Sequence, residues 1–338
     1  MSVTSRNAGE IAGERIDGFV LASDTGVEVD IITWGVVVRD WRVPVHGGRR
    51  SVVLGFEDVA AYPAHSPHFG AVTGRVANRI AGAEFDLDGT RYPLPVNWRS
   101  HTLHGGERGL GRLVWQAEPD SSANAIRFTH LSRHGEMGFP GTVRFTATYR
   151  LTGNRLTLDM HAEADRRTPI SLVQHHYFNL GLGPDVLGHR YRIDAPAFTE
   201  PGADLIPTGA ILPVAGTQYD LRSERGLRDA EQRPLSYDVN LVLASGREPH
   251  EPAAEVTSPD ADLMLRLWTD RPGLQFYNSV YTDVSVPGLA GRRYGAYSGF
   301  CLEDQAFPGA LHHPHFPSII HGPGNDYRHR CEIEIAPP

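Results

Sequence analysis

Four short polar clusters interrupt an otherwise regular alternation of apolar and polar residues. They carry imidazole, carboxylate, guanidinium and amide groups, the types that move protons and hold hydrogen-bonding ligands. Gly74-Arg75-Val76-Ala77-Asn78-Arg79-Ile80 sets two arginines and an asparagine among small residues, and Leu103-His104-Gly105-Gly106 frees the backbone beside a histidine. Gln174-His175-His176-Tyr177-Phe178-Asn179-Leu180 interleaves polar groups with aromatics. Cys301-Leu302-Glu303-Asp304-Gln305 runs on to Phe307-Pro308 and to His312, His313 and His315.

Each cluster also has a plain structural reading. Arg75 and Arg79 serve equally as surface cations or as clamps on loop carbonyls, and His104 as a turn cap. His175 and His176, consecutive on a strand, must face opposite sides, so one of them packs. Glu303 fits a buried ion pair. The His312/His313/His315 group invites a metal, yet its spacing matches no zinc motif and no H-E-x-x-H or cysteine pair supports it. A proline-broken surface loop is the expectation there, with no metal and no cofactor.

Composition narrows the chemistry further. All 32 cations are arginine. Without a lysine there is no imine nucleophile, no ordinary pyridoxal phosphate site and no P-loop. The formal charge of -8 disfavours a phosphate-backbone partner. Cys301 and Cys331 are too few for a disulfide framework and are expected as reduced core thiols. Residues 1–18 carry charges without an apolar run, and no stretch approaches a membrane span, so a cytoplasmic location without nucleic-acid or membrane partners is expected.

The elements that must position these clusters are strands. Val27–Val38 reads as a strand pair or one long strand rich in β-branched residues. Asp88-Gly89 sits between short alternating runs over residues 84–92, and Thr152-Gly153-Asn154 separates two more, so both read as hairpins. Tyr327–Ile335 alternates again. Helix is nearly absent, with Ser223–Gln232 the one short candidate. The 36 glycines and 25 prolines are scattered as turn punctuation rather than gathered into a linker. The expectation is one all-β domain over residues 1–338, a large antiparallel β-sandwich or distorted barrel, with about 15 N-terminal residues loosely ordered.

Nine segments, in order, resemble the aldose 1-epimerase (galactose mutarotase) family: FGAVTGRVANRI at 69–80, the hairpin at 84–92, LHGG at 103–106, GFPG at 138–141, TPISLVQHHYFNL at 168–180, IPTGAILPVAGTQYDL at 206–221, YDVNLVL at 237–243, LQFY at 274–277 and CLEDQAFP at 301–308. The resemblance implies a β-sandwich of the galactose-mutarotase type with a sugar site on a concave sheet. It matches His175 to the family's general acid and Glu303 to its general base. It matches Asn78, Arg79, His104, Asp238 and Gln275 to sugar-contacting groups. Gln174 and His176 stand where the family usually has Asn and Ser, Val239 where it has His, and Asp304 where it has Thr. These departures bear on the sugar more than on the reaction type.

Exchanging α and β anomers requires a base for the C1 hydroxyl proton and an acid for the ring oxygen. Ring opening, rotation about C1–C2 and reclosure need no redox cofactor, metal or covalent intermediate. An ionised Glu303 and a protonated His175 on opposite sides of the hemiacetal would suit, with a carboxylate such as Asp238 favouring the imidazolium. Trp98 or Phe307 would supply an apolar face. The expected partner is a free aldose such as galactose or glucose. An epimerase of a phosphorylated hexose, a glycoside hydrolase using Asp238 and Glu303, and a non-catalytic carbohydrate-binding protein are the alternatives.

Overall fold

The computed structural model describes residues 1–248 and 250–338 and is built almost wholly of antiparallel strands, 47% strand against 7% helix. That helix share is far below the ~30–35% of ordinary globular proteins and settles the class as all-β. The largest sheet has eight strands. In spatial order they are Gln116–Asp120, Ala125–Ser132, Val143–Thr152, Arg155–Ala164, Tyr327–Ala336, Met264–Thr269, Ala254–Thr257 and Arg190–Ile193. Strict alternation explains its one-sided burial. In Val143–Thr152 the side chains of Val143, Phe145, Ala147, Tyr149 and Leu151 point inward, while Arg144 faces solvent.

Both hairpins form where the turn chemistry places them. Asp88 (φ +53°) and Gly89 (φ +77°) connect Glu84–Leu87 to Thr90–Pro93, the two positive φ values that a tight two-residue turn requires. Gly153-Asn154 joins Val143–Thr152 to Arg155–Ala164. The Val27–Val38 stretch is a strand pair, Glu28–Ile32 against the start of Val37–Val45.

Two expectations are corrected. Ser223–Gln232 forms no helix; Arg225 bridges to Tyr191 and Arg228 to Pro234 instead. Leu227 is the one fully buried side chain of that stretch, so a helix there would have had no apolar face to bury. The N-terminal residues are likewise not loose: Ser2–Ile11 pairs along its length with Glu14–Ala22 at the edge of a five-stranded sheet. Backbone bonds hold that edge where side-chain patterning gave little signal.

A third sheet carries the chemistry-bearing residues, in the order Pro207–Pro213, Ala197–Pro201, Asp238–Val242, Gly273–Tyr277 and Cys301–Gln305. The short strand Val173–His175, itself paired with Ala71–Thr73, is tied to its last member by the Gln174 side chain, whose amide donates to the Leu302 carbonyl at 2.7 Å. Between these layers lies a large apolar core drawing side chains from Phe19 to Ile335, with two smaller clusters beside it around Phe56 and around Phe85. Cys301 and Cys331 are buried free thiols. No helix among the described residues is long and apolar enough to cross a membrane.

Candidate active site

A cavity of about 240 Å³ opens on the third sheet, lined by Asn78, Arg79, Trp98, His104, His175, Asp238 and Glu303 together with His68, Tyr177 and Tyr277. Strand alternation aims the central pair. Glu303 projects into the cavity while its neighbour Asp304 turns to the core side, where it meets His329 Nε2 and Thr269 Oγ1, each at 2.6 Å. The same rule divides the consecutive histidines. His175 faces Glu303 across 3.5 Å (Nε2 to Oε2), and His176 packs edge-on to Trp41 and Phe178 in the core. Acid and base candidates therefore stand side by side rather than on opposite sides of a ligand.

The arginine cluster also splits by role. Arg75 is a structural clamp: its guanidinium donates to the carbonyls of Ser132, Arg133, Pro140 and Gly141 and to Ser132 Oγ. Arg79 lies over the Trp98 ring at 4.5 Å and donates to Asp238 Oδ2 at 3.1 Å. The strand pair Arg79–Ile80 with Thr102–Leu103 sets Arg79 beside His104. Gly105 is obligatory there, because a Cβ would fall 1.9 Å from the Gly74 carbonyl oxygen, and its φ is +83°.

His104 Nδ1 accepts the Asn78 backbone N–H at 3.2 Å and lies 3.1 Å from Thr73 Oγ1. Since the amide can only donate, the neutral ring must carry its hydrogen on the other nitrogen and present a donor to the cavity. Asn78 Oδ1 in turn accepts the Arg79 amide at 2.9 Å. Gln275 sits behind the cavity wall and donates to Asp238 Oδ1 at 2.6 Å. It supports the carboxylate rather than lining the cavity. Of the two aromatic candidates, Trp98 lines the cavity and Phe307 packs edge-on to Phe316 outside it.

Burial dominates the electrostatics. Glu303 is held well above the usual carboxylate range by desolvation, with Asp238 and Asp304 adding to the rise and Arg79 opposing it. His175 is pushed well below the ordinary imidazole value by desolvation, then by nearby His68. The expected imidazolium is thus not the favoured resting form. Asp238 is engaged by Arg79 and Gln275, and its charge raises Glu303 instead. His175 Nδ1 and Glu303 Oε2 are buried without a hydrogen-bond partner.

His104, His175 and Glu303 bring potential metal-ligand atoms within 4.8 Å of one another. The tautomer imposed on His104 offers a hydrogen, not a lone pair, so this set is poorly suited to an ion. The histidines of the 312–315 loop are spent on backbone: their Nε2 atoms lie 3.0, 3.0 and 2.8 Å from the carbonyl oxygens of Glu84, Pro207 and Gly209. They staple a loop. His68 was missed in the sequence because it precedes the recognisable FGAVTGRVANRI segment and carries no spacing signal of its own.

An all-β fold with a buried carboxylate–imidazole pair at a cavity of hydrogen-bonding groups has the parts of an acid–base site for a hydroxyl-rich ligand. The chain belongs to the aldose 1-epimerase family, whose model matches residues 17–334. It is 40% identical to the galactose mutarotase of Rattus norvegicus over 99% of each chain, and 31% identical to the aldose 1-epimerase of Escherichia coli K12 over 93% of this chain and 94% of that one. A crystal structure of an aldose epimerase homologue from C. elegans superimposes with a TM-score of 0.88 at 28% identity, covering 94% of this chain and 98% of the other.

Proposed function

We propose that this protein interconverts the α and β anomers of a free aldose, with Glu303 and His175 as its proton carriers. The observation that carries this reading is the buried His175–Glu303 pair, 3.5 Å apart and open to a cavity of hydrogen-bonding groups. The two oxygens that exchange protons in mutarotation sit on the same carbon, C1. Adjacent groups, not opposed ones, suit that geometry: Glu303 takes the C1 hydroxyl proton while His175 delivers one to the ring oxygen. After rotation about C1–C2 the traffic reverses, and no covalent intermediate forms. Arg79, Asn78, His104 and Asp238 hold the hydroxyls, and Trp98 offers an apolar face.

The alternatives fit less well. Among the described residues Arg79 is the only arginine lining the cavity, and it is already paired with Asp238, which leaves no free cation there for a phosphoryl group. Both Asp238 oxygens are engaged, so it is a poor second carboxylate for glycoside hydrolysis. The test is polarimetry on freshly dissolved α-galactose and α-glucose, with aryl glycosides of the same sugars as a control. Accelerated mutarotation with intact aryl glycosides is expected. Release of the aryl alcohol at a comparable rate would favour hydrolysis, and no acceleration with any free aldose would refute the reading.

A further inference from the structure

One imidazole at the cavity has no role in the chemistry so far. His68 lies between the helical turn Tyr62–His65 and the strand Ala71–Thr73, in the left-handed region at φ +72°. The loop is pinned on both sides of it: Ser66 Oγ accepts the Phe69 N–H at 2.8 Å, and Phe69 is fully buried against Phe56 and Tyr177. A residue other than glycine is rarely held at positive φ, and here the position turns the ring inward over the catalytic groups.

The His68 ring stacks on His175 with centroids 5.7 Å apart and planes 26° apart, and lies 4.6 Å from the His104 ring. His175 stacks also on Tyr177, at 5.1 Å and 13°. The imidazole of the proposed acid is therefore stacked on two aromatic rings and meets the His104 ring edge-on at 5.0 Å. The His68 nitrogens meet no hydrogen-bond partner among the described residues, and the side chain lines the cavity. Burial, then the charge of Arg112, pushes its pKa down to about 4. A neutral imidazole presents one donor and one acceptor, and a sugar hydroxyl can answer either.

We infer that His68 is a specificity-determining residue of this site: a free ring nitrogen hydrogen-bonds one hydroxyl of the bound aldose while its face holds the His175 ring in place. The inference rests on the aldose reading above, and wild-type mutarotation of the parent sugar tests that reading separately. His68→Phe keeps a stacking ring and removes both nitrogens; His68→Ala removes the ring as well.

The experiment compares wild type and both variants on the preferred aldose and its monodeoxy analogues. In wild type, one analogue should lose roughly 10-fold in kcat/KM. His68→Phe should lose a similar factor on the parent sugar, mainly through KM, and should no longer distinguish that analogue from the parent. His68→Ala should lower kcat as well, since the His175 ring then loses one of its stacked neighbours. In the wild-type protein, saturating sugar should shift the ring nitrogen resonances of His68. Unchanged deoxy-sugar discrimination in His68→Phe, or ring resonances insensitive to sugar in an active enzyme, would overturn the inference.

Discussion

Glu303 and His175 form a close buried pair, and burial decides where a proton on it rests. With the carboxyl raised and the imidazole lowered, burial favours carboxylic acid beside neutral imidazole over carboxylate beside imidazolium. The carboxylate–imidazolium form that the proposed mechanism requires before ring opening contains the same number of protons, so it is reached by transfer within the pair and not by titration. The sequence alone led to the opposite resting state, because burial and the presence of His68 are invisible there. At neutral pH the nitrogen NMR signature of His175, assigned by its loss in His175→Asn, should be that of a neutral ring. An imidazolium signature would contradict the burial argument. The rate profile should fall on the acid side when a second proton reaches His175, below the ordinary imidazole value of 6.5, and on the alkaline side when Glu303 loses its proton, above 4.5. Glu303→Gln and His175→Asn should each lower kcat by roughly 10²-fold or more with little change in KM, since the lost contact belongs to the transition state. Near-normal kcat in either variant would move the chemistry to other residues.

At the scale of elements, the site depends on strands whose alternation was legible and on loops whose partners were not. Opposite facings for His175 and His176 followed from the two-residue period of a strand, as did the hairpins at Asp88-Gly89 and Gly153-Asn154. The difference between Arg75 and Arg79 had no such signal, because it depends on carbonyls more than 50 residues away in sequence. Gln275 was matched to a sugar-contacting group, but its support of Asp238 arises only from the register of Gly273–Tyr277 with Asp238–Val242. Arg75 gives the sharpest test at this scale. It is 3% exposed and satisfies four backbone carbonyls in the segment 132–141. Arg75→Met should destabilise the fold by about 2–5 kcal/mol, as orphaned buried carbonyls cost their desolvation. Arg75→Lys should rescue little, since an ammonium cannot reproduce the planar fork. Urea unfolding midpoints measure both, and a midpoint within error of wild type in Arg75→Met would show the clamp to be dispensable.

At the scale of the whole molecule, the buried histidines that take no part in catalysis couple folding to pH. His176, wrapped by Trp41, Tyr149 and Phe178, and His189, beside Tyr191 and Phe300, are each pushed down to about 3 by burial. In the unfolded chain both return to near the ordinary value of 6.5. Between those limits the unfolded state binds more protons than the folded one, so stability must fall as the pH is lowered. The slope is about 1.4 kcal/mol per pH unit for each histidine, roughly 2 kcal/mol each by pH 5. Glu303 acts in the opposite sense. Its raised folded pKa contributes stability that is complete below 4.5 and is lost as the pH rises, so it offsets part of the histidine term on acidification. Urea midpoints should therefore drop between pH 7 and pH 5. His176→Phe places an apolar ring in an aromatic pocket that already excludes water, and should remove about one proton from that dependence while leaving the fold intact. Equal pH slopes in His176→Phe and wild type would mean that His176 is not held neutral by its burial, and that the acid sensitivity has another source.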